Sequence, residues 1–354
     1  MILNIHRYRF HFTAPLHIGR GVEDYGQSST TLQSDVLYAA VIQAWAELGM
    51  EANIPKKAEE SPGFALTSLF PFLKIEKQFH YFYPKPFAHV FPKSLNATER
   101  KEWKKVLWLE EDPFFIVLSG KATGNRKNIH GAYYLDKEST YFRAPFQSEI
   151  QDRNANNGES QDTVPFSLER LWFLDGKYEW NKKDEPSQII SYQGGLFALV
   201  QFENESVKAA FDLALAHLAI AGLGTDRNVG NGQFRLESEP FSLPALPESE
   251  YGVSLSLLLP PDSNFIERHF PEGDSGVGYD LLLRGGWISA PYLHLRKKQI
   301  YMLAPGSILK LATRQSKASV LGSGANLAPV SLDRPVFRHG RSLVFPFTHS
   351  FPKD

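Results

Sequence analysis

A glycine-rich segment at residues 222–234 has the most specific pattern for chemistry in this chain. Its glycines stand at positions 222, 224, 230 and 232, and Arg227 lies between them. Glycine adopts positive φ and lets another backbone approach, so exposed amides and an arginine there would suit phosphate oxygens. The segment follows a predicted helix and lacks a Gly-Lys-Ser/Thr ending, which indicates neither a Rossmann fingerprint nor a P-loop. A helix end with a turn and no ligand is the alternative interpretation.

Three histidines near the start of the chain are candidates for acid–base chemistry. His6, His11 or His17 could act on a ribose 2′-hydroxyl as a general acid or base. No spacing marks a partner for any of them, and His6 and His11 fall on opposite faces of one predicted strand. Ordinary strand and loop histidines are the simpler interpretation, and no catalytic residue is predicted.

Two groups of carboxylates have simple structural explanations. Asp35 stands where a helix is predicted to start, so it would cap amides and stabilise the helix dipole. Residues 110–112 form an acidic run before Pro113, which indicates a solvated helix end. No cluster of His, Asp and Glu has metal-ligand spacing, and we predict neither a metal nor a cofactor.

Apolar periodicity predicts the elements that must position these residues. Residues 2–12 alternate like a strand, and residues 34–48 carry apolar side chains at helical spacing. A second set follows, with a strand at 195–202, a helix from a Ser206 cap to Gly222, and a strand resuming at 233–237. Strand, helix and strand joined by glycine turns are typical of a ferredoxin-like α+β unit.

The chain is long enough for two or three domains. Residues 242–250 contain two prolines and resemble a linker, and the strands predicted at 251–259 and 279–284 indicate a more β-rich part after it. We therefore predict one domain at 1–245 and a second at 246–354.

A polar excursion interrupts the first domain. Residues 147–163 are nearly all Asn, Gln, Asp, Ser and Glu, with Ile150 almost the only apolar side chain. Such a stretch cannot bury enough surface to fold alone, so it is either functional or a disordered surface loop. We place this insertion at about residues 143–165.

Composition and charge limit the classes of function that are possible for this chain. The 354 residues are 42% hydrophobic and 22% charged, without cysteine, which excludes disulfides and thiolate zinc sites. The net charge is −1, but residues 281–341 hold ten basic residues against one acidic residue, a net +9. A basic C-terminal third suggests that one face binds a polyanion. A basic surface that contacts only solvent is an equally simple interpretation. No signal peptide or membrane-length apolar run is recognised, so a cytoplasmic location is expected.

Several different short motifs follow one another along the chain in a characteristic order. They are His17-Ile18-Gly19, Ser34-Asp35, Asp152-Arg153, the glycine segment 222–234, Gly285-Gly286, Lys298 with Gly306-Ser307, and Pro335-Val336-Phe337-Arg338-His339-Gly340. In this order they resemble the RAMP proteins of CRISPR systems, specifically the family of the fourth subunit of the type III-A Csm effector complex.

The resemblance implies both a fold and a function. The fold would be two ferredoxin-like (RRM-like) RAMP domains, with the polar excursion as a thumb-like hairpin that pushes between bases. The subunit would be non-catalytic and would bind and cap the repeat-derived 5′ handle of the crRNA. It would also contact the large polymerase-like subunit and the repeating backbone subunit, with no membrane partner.

The resemblance also implies which residues contact RNA. They are His17, Gly19, Arg20, Arg143, Asp152, Arg153, Gly224, Arg227, Asn228, Gly230, Asn231, Gly232, Arg284, Gly306, Ser307, Arg338, His339 and Arg341. Two positions depart from the family pattern. Asp226 would repel phosphate, so either Arg227 pairs with it or the loop holds RNA more weakly. His339 replaces a usual tyrosine, which would weaken a stack.

Three alternatives stay open at this point. The chain could be a RAMP endoribonuclease that processes precursor crRNA with one of the N-terminal histidines. It could be a scaffold without RNA contact. It could also be the equivalent subunit of a type III-B complex.

Overall fold

The computed structural model describes residues 4–19, 26–88, 90, 97–122, 124–156, 163–180, 187–288, 291–333 and 335–349. Within these ranges, the strands before residue 245 are β1 (Ile5–Phe12), β2 (Phe64–Leu66), β3 (Phe70–Ile75), β4 (Gln78–Pro84), β5 (Trp108–Glu110), β6 (Ile129–His130), β7 (Tyr133–Tyr134), β8 (Phe146–Asn156), β9 (Thr163–Phe173), β10 (Asp175–Trp180), β11 (Gln188–Phe202) and β12 (Phe234–Pro240). The strands after it are β13 (Ser249–Ser254), β14 (Leu281–Arg284), β15 (Ile300–Leu303), β16 (Ile308–Gln315), β17 (Ser319–Leu321), β18 (Ala325–Asn326), β19 (Phe337–Arg338) and β20 (Ser342–Pro346). The helices are α1 (Ser34–Glu47), α2 (Ala97–Lys105), α3 (Glu111–Leu118), α4 (Glu205–Ala221) and α5 (Ser263–His269).

A ten-stranded sheet forms the centre of the fold. Its order is β12-β1-β11-β3-β4-β5-β7-β6, and β2 and β10 also pair with β11. All of these pairs are antiparallel except β5 with β7. A four-stranded sheet in the order β16-β13-β20-β17 is built from residues after 248. The predicted α+β class is confirmed.

The two faces of the central sheet bury different partners. On one face α1 and α4 pack together, with Trp45 and Phe211 in a core shared with Tyr8 of β1. Trp45 Nε1 donates a hydrogen bond to the Ala210 carbonyl at 2.9 Å, which satisfies its polar atom inside that core. On the other face, aromatic residues of β3, β4 and β11 share a core with Val253 and others of the four-stranded sheet.

Several predicted boundaries need correction. Helix α1 begins at Ser34 as predicted, but its N-cap is Gln33 without a side-chain cap. The cap of α4 is Asn204, whose side chain accepts from the Val207 amide at 3.0 Å, rather than Ser206. An asparagine two residues earlier provides the same acceptor, so the sequence pattern allowed either choice.

The acidic run at residues 110–112 is not a solvated helix end. Glu110 is buried, and one of its oxygens lies 2.6 Å from His80 Nδ1. Glu111 pairs with Arg7 of β1 and accepts from the Tyr83 hydroxyl at 2.9 Å. Burial raises the pKa of Glu111 above its usual value, although the Arg7 charge opposes that rise.

The polar excursion forms a long antiparallel hairpin, β8–β9. Its register runs from Phe146 opposite Phe173 to Asn156 opposite Thr163, so it extends beyond the predicted 143–165 boundary. Leu171 and Phe173 anchor the base of β9 in the core under α1 and α4. The polar strand β8 therefore gains its order by pairing with a strand that has an apolar base. No helix in the described part of the chain is long and apolar enough to span a membrane.

Candidate nucleic-acid interface

Three segments far apart in sequence meet beside the end of β1. The glycine segment packs against residues 15–17, because the Thr225 amide donates to the His17 carbonyl at 3.1 Å and the Gly232 amide to the Pro15 carbonyl at 2.9 Å. Leu16 and Leu171 exchange backbone hydrogen bonds of 2.9 and 2.8 Å, which attaches the β8–β9 hairpin to the same place. We call this meeting point of the loop, the 15–19 segment and the hairpin the junction.

Glycine is required in the loop mainly for contact with the protein's own backbone. Gly224 has φ +83°, and a Cβ there would lie 2.4 Å from the His17 carbonyl oxygen. At Gly232, with φ +74°, a Cβ would lie 1.8 Å from the Leu223 carbonyl oxygen. Gly230 differs, since it has φ +85° but no atom of the described residues lies within 4 Å of the point that a Cβ would occupy. Of these three glycines, Gly230 alone has open space in front of it.

Asp226 finds its partner on the hairpin. Arg153 Nη1 lies 2.5 Å from Asp226 Oδ2, and Arg153 Nε donates to Gln151 Oε1 at 3.0 Å. Of the two alternatives considered for Asp226, pairing with Arg227 is therefore not what the structure shows. Arg227 and Asn228 are exposed, and neither side chain makes a hydrogen bond or ion pair with another residue of the described ranges. The negative charge of the loop is neutralised internally, and the Arg227 guanidinium is left facing solvent.

His17 is buried at the junction. Its Nδ1 lies 2.6 Å from the Glu169 carbonyl oxygen of β9, so Nδ1 is the donor and the ring orientation is set. The Glu169 carboxylate accepts from the Ser28 amide at 2.8 Å. His17 and Glu169 thus join the hairpin to the loop after β1, a connection that sequence reasoning missed because it pairs a backbone carbonyl with a residue 152 positions away.

The three N-terminal histidines do not converge on one site. His6 Nε2 lies 3.0 Å from the Asn4 side-chain oxygen, whereas His11 packs edge-on against Phe72 with ring centroids 5.1 Å apart. Burial lowers the pKa of both His6 and His11. Their placement on opposite faces of β1 agrees with the predicted alternation.

The hairpin exposes apolar side chains on a polar arm. Ile150 is 73% exposed, and Phe166 is also exposed. Phe166 borders a surface depression together with Asp152, Arg153, Asn154, Pro165 and Ser167. The Ser167 hydroxyl donates to Asp152 Oδ1 at 2.7 Å, so Asp152 is held within the hairpin. Charged, polar and apolar groups therefore lie together at this end of the junction.

A second group of predicted residues surrounds Asp35. Arg284 Nε and Nη2 each lie 3.0 Å from one oxygen of Asp35, a bidentate pair, and Arg338 Nη1 contacts the same carboxylate. Arg338 Nη2 also donates to the Gly285 carbonyl at 2.5 Å. Burial raises the Asp35 pKa, but the two guanidinium charges outweigh burial and hold that pKa below its usual value. Asp35 therefore does not cap its helix as predicted, and both arginines have internal partners.

The C-terminal residues His339, Ser307 and Gly306, which were predicted to contact RNA, are buried. His339 stacks on Tyr38 of α1, with ring centroids 4.3 Å apart and planes 11° apart, and burial lowers its pKa to about 3. Ser307 is fully buried and donates to the Ala304 carbonyl at 2.6 Å. A Cβ on the neighbouring Gly306 would lie 2.9 Å from the Lys85 carbonyl oxygen. The stack predicted for position 339 thus lies within the protein.

The other predicted basic contacts lie elsewhere. The Arg143 guanidinium sits 5.4, 5.4 and 5.5 Å from the ring centroids of Tyr178, Trp180 and Tyr192, before the start of β8. Arg341 is half-buried, and its Nη1 donates to the Glu59 carbonyl at 3.4 Å. Arg20 lies outside the described residues. The predicted RNA-contacting residues at positions 17, 19, 152–153 and 224–232 therefore lie together at the junction. The other described residues of that prediction lie elsewhere in the fold.

The described titratable groups of the junction are not arranged as a metal centre. Among the residues that the structure describes, no three His, Asp or Glu side chains are grouped so that they could hold a metal ion.

The described elements define an α+β protein, and solved structures of known proteins share its fold. A chain in the crystal structure of the Csm3-Csm4 subcomplex of a type III-A CRISPR-Cas interference complex is similar, with 16% identity, a TM-score of 0.63 and coverage of 98% of this chain and 100% of that one. A chain of the Csm1-Csm4 cassette in complex with cA3 is similar at 16% identity and a TM-score of 0.52, covering 99% and 100% respectively.

A sequence family also matches part of the chain. Residues 247–347 match the family model described as the CRISPR Csm4 C-terminal domain. The resemblance that was predicted from the order of short motifs is thereby confirmed. No curated protein matches the chain.

Proposed function

We propose that this chain is a non-catalytic, RNA-binding subunit of a type III-A CRISPR effector complex. It binds and caps the 5′ handle of the crRNA and bridges the large polymerase-like subunit to the repeating backbone subunits. The observation that carries this proposal is the match of residues 247–347 to the Csm4 C-terminal domain. The similar solved structures contain Csm4 with Csm3 in one case and with Csm1 in the other, which supports equivalent partners here.

The junction supports the RNA part of the proposal. Arg227 and Asn228 are exposed beside Gly230, whose backbone has open space in front of it. A guanidinium and accessible loop amides are suited to phosphate oxygens and set register rather than sequence. On the hairpin, Ile150 and Phe166 offer apolar contact, and an unstacked base of a single strand can pack on an aromatic ring.

The fixed sequence of a handle requires more than phosphate contact. Sequence-specific recognition of RNA uses hydrogen bonds to the edges of splayed bases. The Asn228 side chain is exposed without a partner among the described residues and has both donors and an acceptor for a base edge. We therefore assign Asn228 to base recognition and Arg227 to the backbone.

Co-purification with the products of neighbouring cas genes tests the proposal. Bound RNA is extracted, its 5′ ends are mapped, and its crosslinks to this chain are located. We expect uniform repeat-derived 5′ ends, crosslinks at the junction, and loss of assembly when the handle sequence is scrambled. A complex that tolerates a scrambled handle equally well contradicts handle binding.

Two other outcomes would support different functions. Site-specific cleavage of repeat RNA by this chain alone in EDTA would favour the endoribonuclease. An assembled complex without any RNA adduct on this chain would favour the scaffold.

A further inference from the structure

Strands β14 and β15 form a two-stranded ribbon outside both larger sheets. They pair from Leu281 opposite Leu303 to Arg284 opposite Ile300. Beyond them the pairing continues, since Trp287 and Arg296 form a bridge and the Lys297 amide donates to the Gly286 carbonyl at 2.9 Å. We call residues 281–288 and 291–303 the ribbon.

The two faces of the ribbon have opposite surroundings. Alternate side chains of a strand point to opposite faces. Leu282 and its partner Met302 lie in an apolar core, and Arg284 on that same face reaches the buried Asp35. Leu281 and Tyr301 point the other way, and Tyr301 is 62% exposed. The ion pair of Arg284 with Asp35 thus fixes the inner face. The opposite face is exposed at Leu281 and Tyr301, whereas Leu303 on that face is buried.

Aromatic and basic groups share the exposed part of the ribbon. Trp287 is 46% exposed, and the Arg296 guanidinium lies 4.5 Å from its ring centroid. Lys297 and Lys298 follow directly, and the ribbon contains no Asp or Glu. The Lys298 side chain is exposed and makes no hydrogen bond or ion pair within the part of the chain that the structure describes.

This chemistry fits a single-stranded nucleic acid better than a protein. Nucleobases stack on aromatic rings and on guanidinium planes, and each base is followed by a phosphate that a lysine can neutralise. Protein interfaces are depleted in lysine at their centres, and a basic segment with no acidic residue of its own offers a protein few paired contacts. A uniformly positive patch complements a polyanion.

We propose that the ribbon is a second RNA-contacting element of this chain, separate from the junction. Trp287 and Tyr301 stack nucleobases, Arg296 holds the indole and faces the strand, and Lys298 contacts an adjacent phosphate. The inference rests on the proposed function, because it takes single-stranded RNA as the ligand. The inner face, through Arg284 and Asp35, positions the ribbon.

Binding of a labelled single-stranded repeat RNA to the full-length chain tests the inference. Trp287→Ala should weaken affinity roughly 5- to 150-fold if one stacked base is lost. Trp287→Phe should restore part of that loss, because a smaller ring still stacks. Lys298→Ala should weaken binding and reduce the slope of log K against log salt by about 0.7. Lys104→Ala, an exposed lysine of α2, is the matched control and should change neither quantity.

The possible outcomes distinguish the ribbon inference from the proposed function of the junction. If the Trp287 and Lys298 variants bind RNA like wild type while Arg227→Ala binds more weakly, the ribbon inference is overturned and the junction stands. If the chain binds no RNA at all, both fail. If Trp287→Ala binds RNA normally but loses a protein from the purified complex, the ribbon is a protein-docking surface and the inference is overturned.

Discussion

Replacing Asp35 with asparagine removes the only negative charge from a buried cluster of three. The Asp35 side chain is 0% exposed, and those of Arg338 and Arg284 are 7% and 14% exposed. Breaking a buried ion pair by removing one partner costs about 3–5 kcal/mol, because the remaining charges stay buried without compensation. With an unfolding entropy of about 2.1 cal/mol/K per residue, that loss lowers the melting temperature by roughly 4–7 °C for a cooperative transition of the chain.

Thermal and urea denaturation of Asp35→Asn measure this loss directly. Asp226→Asn is the matched control, because the Asp226–Arg153 pair is similarly close but its side chains are 29% and 25% exposed. Pairs that water reaches in this way contribute about 0–1 kcal/mol. Asparagine also tolerates the positive φ of +59° at that position, so no backbone strain is added.

The same prediction has a pH dependence with a defined sign. The folded-state pKa of Asp35 lies below its ordinary value of 3.8, so the ionised carboxylate stabilises the fold above that pH. That stabilisation is lost as the pH falls from 3.8 towards the folded-state pKa. The difference between wild type and Asp35→Asn should therefore stay constant from about pH 7 to 5 and shrink below about pH 4. A variant within about 1 kcal/mol of wild type at neutral pH would refute the reasoning that the cluster depends on this charge.

Three further substitutions, and a fourth as a control, test the loop and the C-terminal stack. Arg227→Ala should flatten the slope of log K against log salt for single-stranded RNA by about 0.7, and an unchanged slope would mean that this arginine does not contact the backbone. Gly224→Ala adds a Cβ 2.4 Å from the His17 carbonyl oxygen at φ +83°, so it should destabilise the chain by more than the roughly 1–2 kcal/mol that positive φ alone costs. Gly230→Ala, with φ +85° and open space, is its control in urea denaturation, and equal losses would contradict the steric argument. Burial lowers the pKa of His339 to about 3 from 6.5, so wild type should lose stability as the pH falls from 6.5 towards 3, by up to about 1.4 kcal/mol per pH unit. His339→Phe should remove that slope, and an unchanged slope would assign it to another group.

Local sequence patterns were sufficient to predict several helices and strands in the first part of the chain. The predicted strands at 2–12 and 233–237 and the helix at 34–48 correspond to β1, β12 and α1 with ends shifted by no more than three residues. Apolar periodicity is a property of neighbouring residues, so it can be read without knowing the fold. The strand predicted at 195–202 is longer, because residues 188–194 pair with β10 and β3. Their less buried face combines Ser191 and Gln193 with the exposed Ile189.

The polar hairpin shows where a local pattern is insufficient. Residues 147–163 lack the apolar content of a strand, yet β8 is ordered by eleven pairs with β9. The apolar side chains that hold the hairpin, Leu171 and Phe173, follow the polar stretch rather than lie within it. Whether a segment forms a strand depends on the strand that pairs with it. That partner is set by the whole fold, so the residues of β8 alone could not predict it.

The sequence by itself determined the α+β class, the glycine loop, the basic C-terminal third and the motif order that identifies the family resemblance. Only the tertiary structure decided which charges remain available to a ligand. Arg153 neutralises Asp226 across 73 residues, and Arg284 and Arg338 neutralise Asp35 across 249 and 303 residues. The physical reason is that ion pairing depends on distance in space, which composition and spacing do not contain. RNA contact at Arg284, Arg338 and His339 stays a prediction, while Arg227 and Asn228 are exposed loop side chains that make no hydrogen bond or ion pair within the described part of the chain.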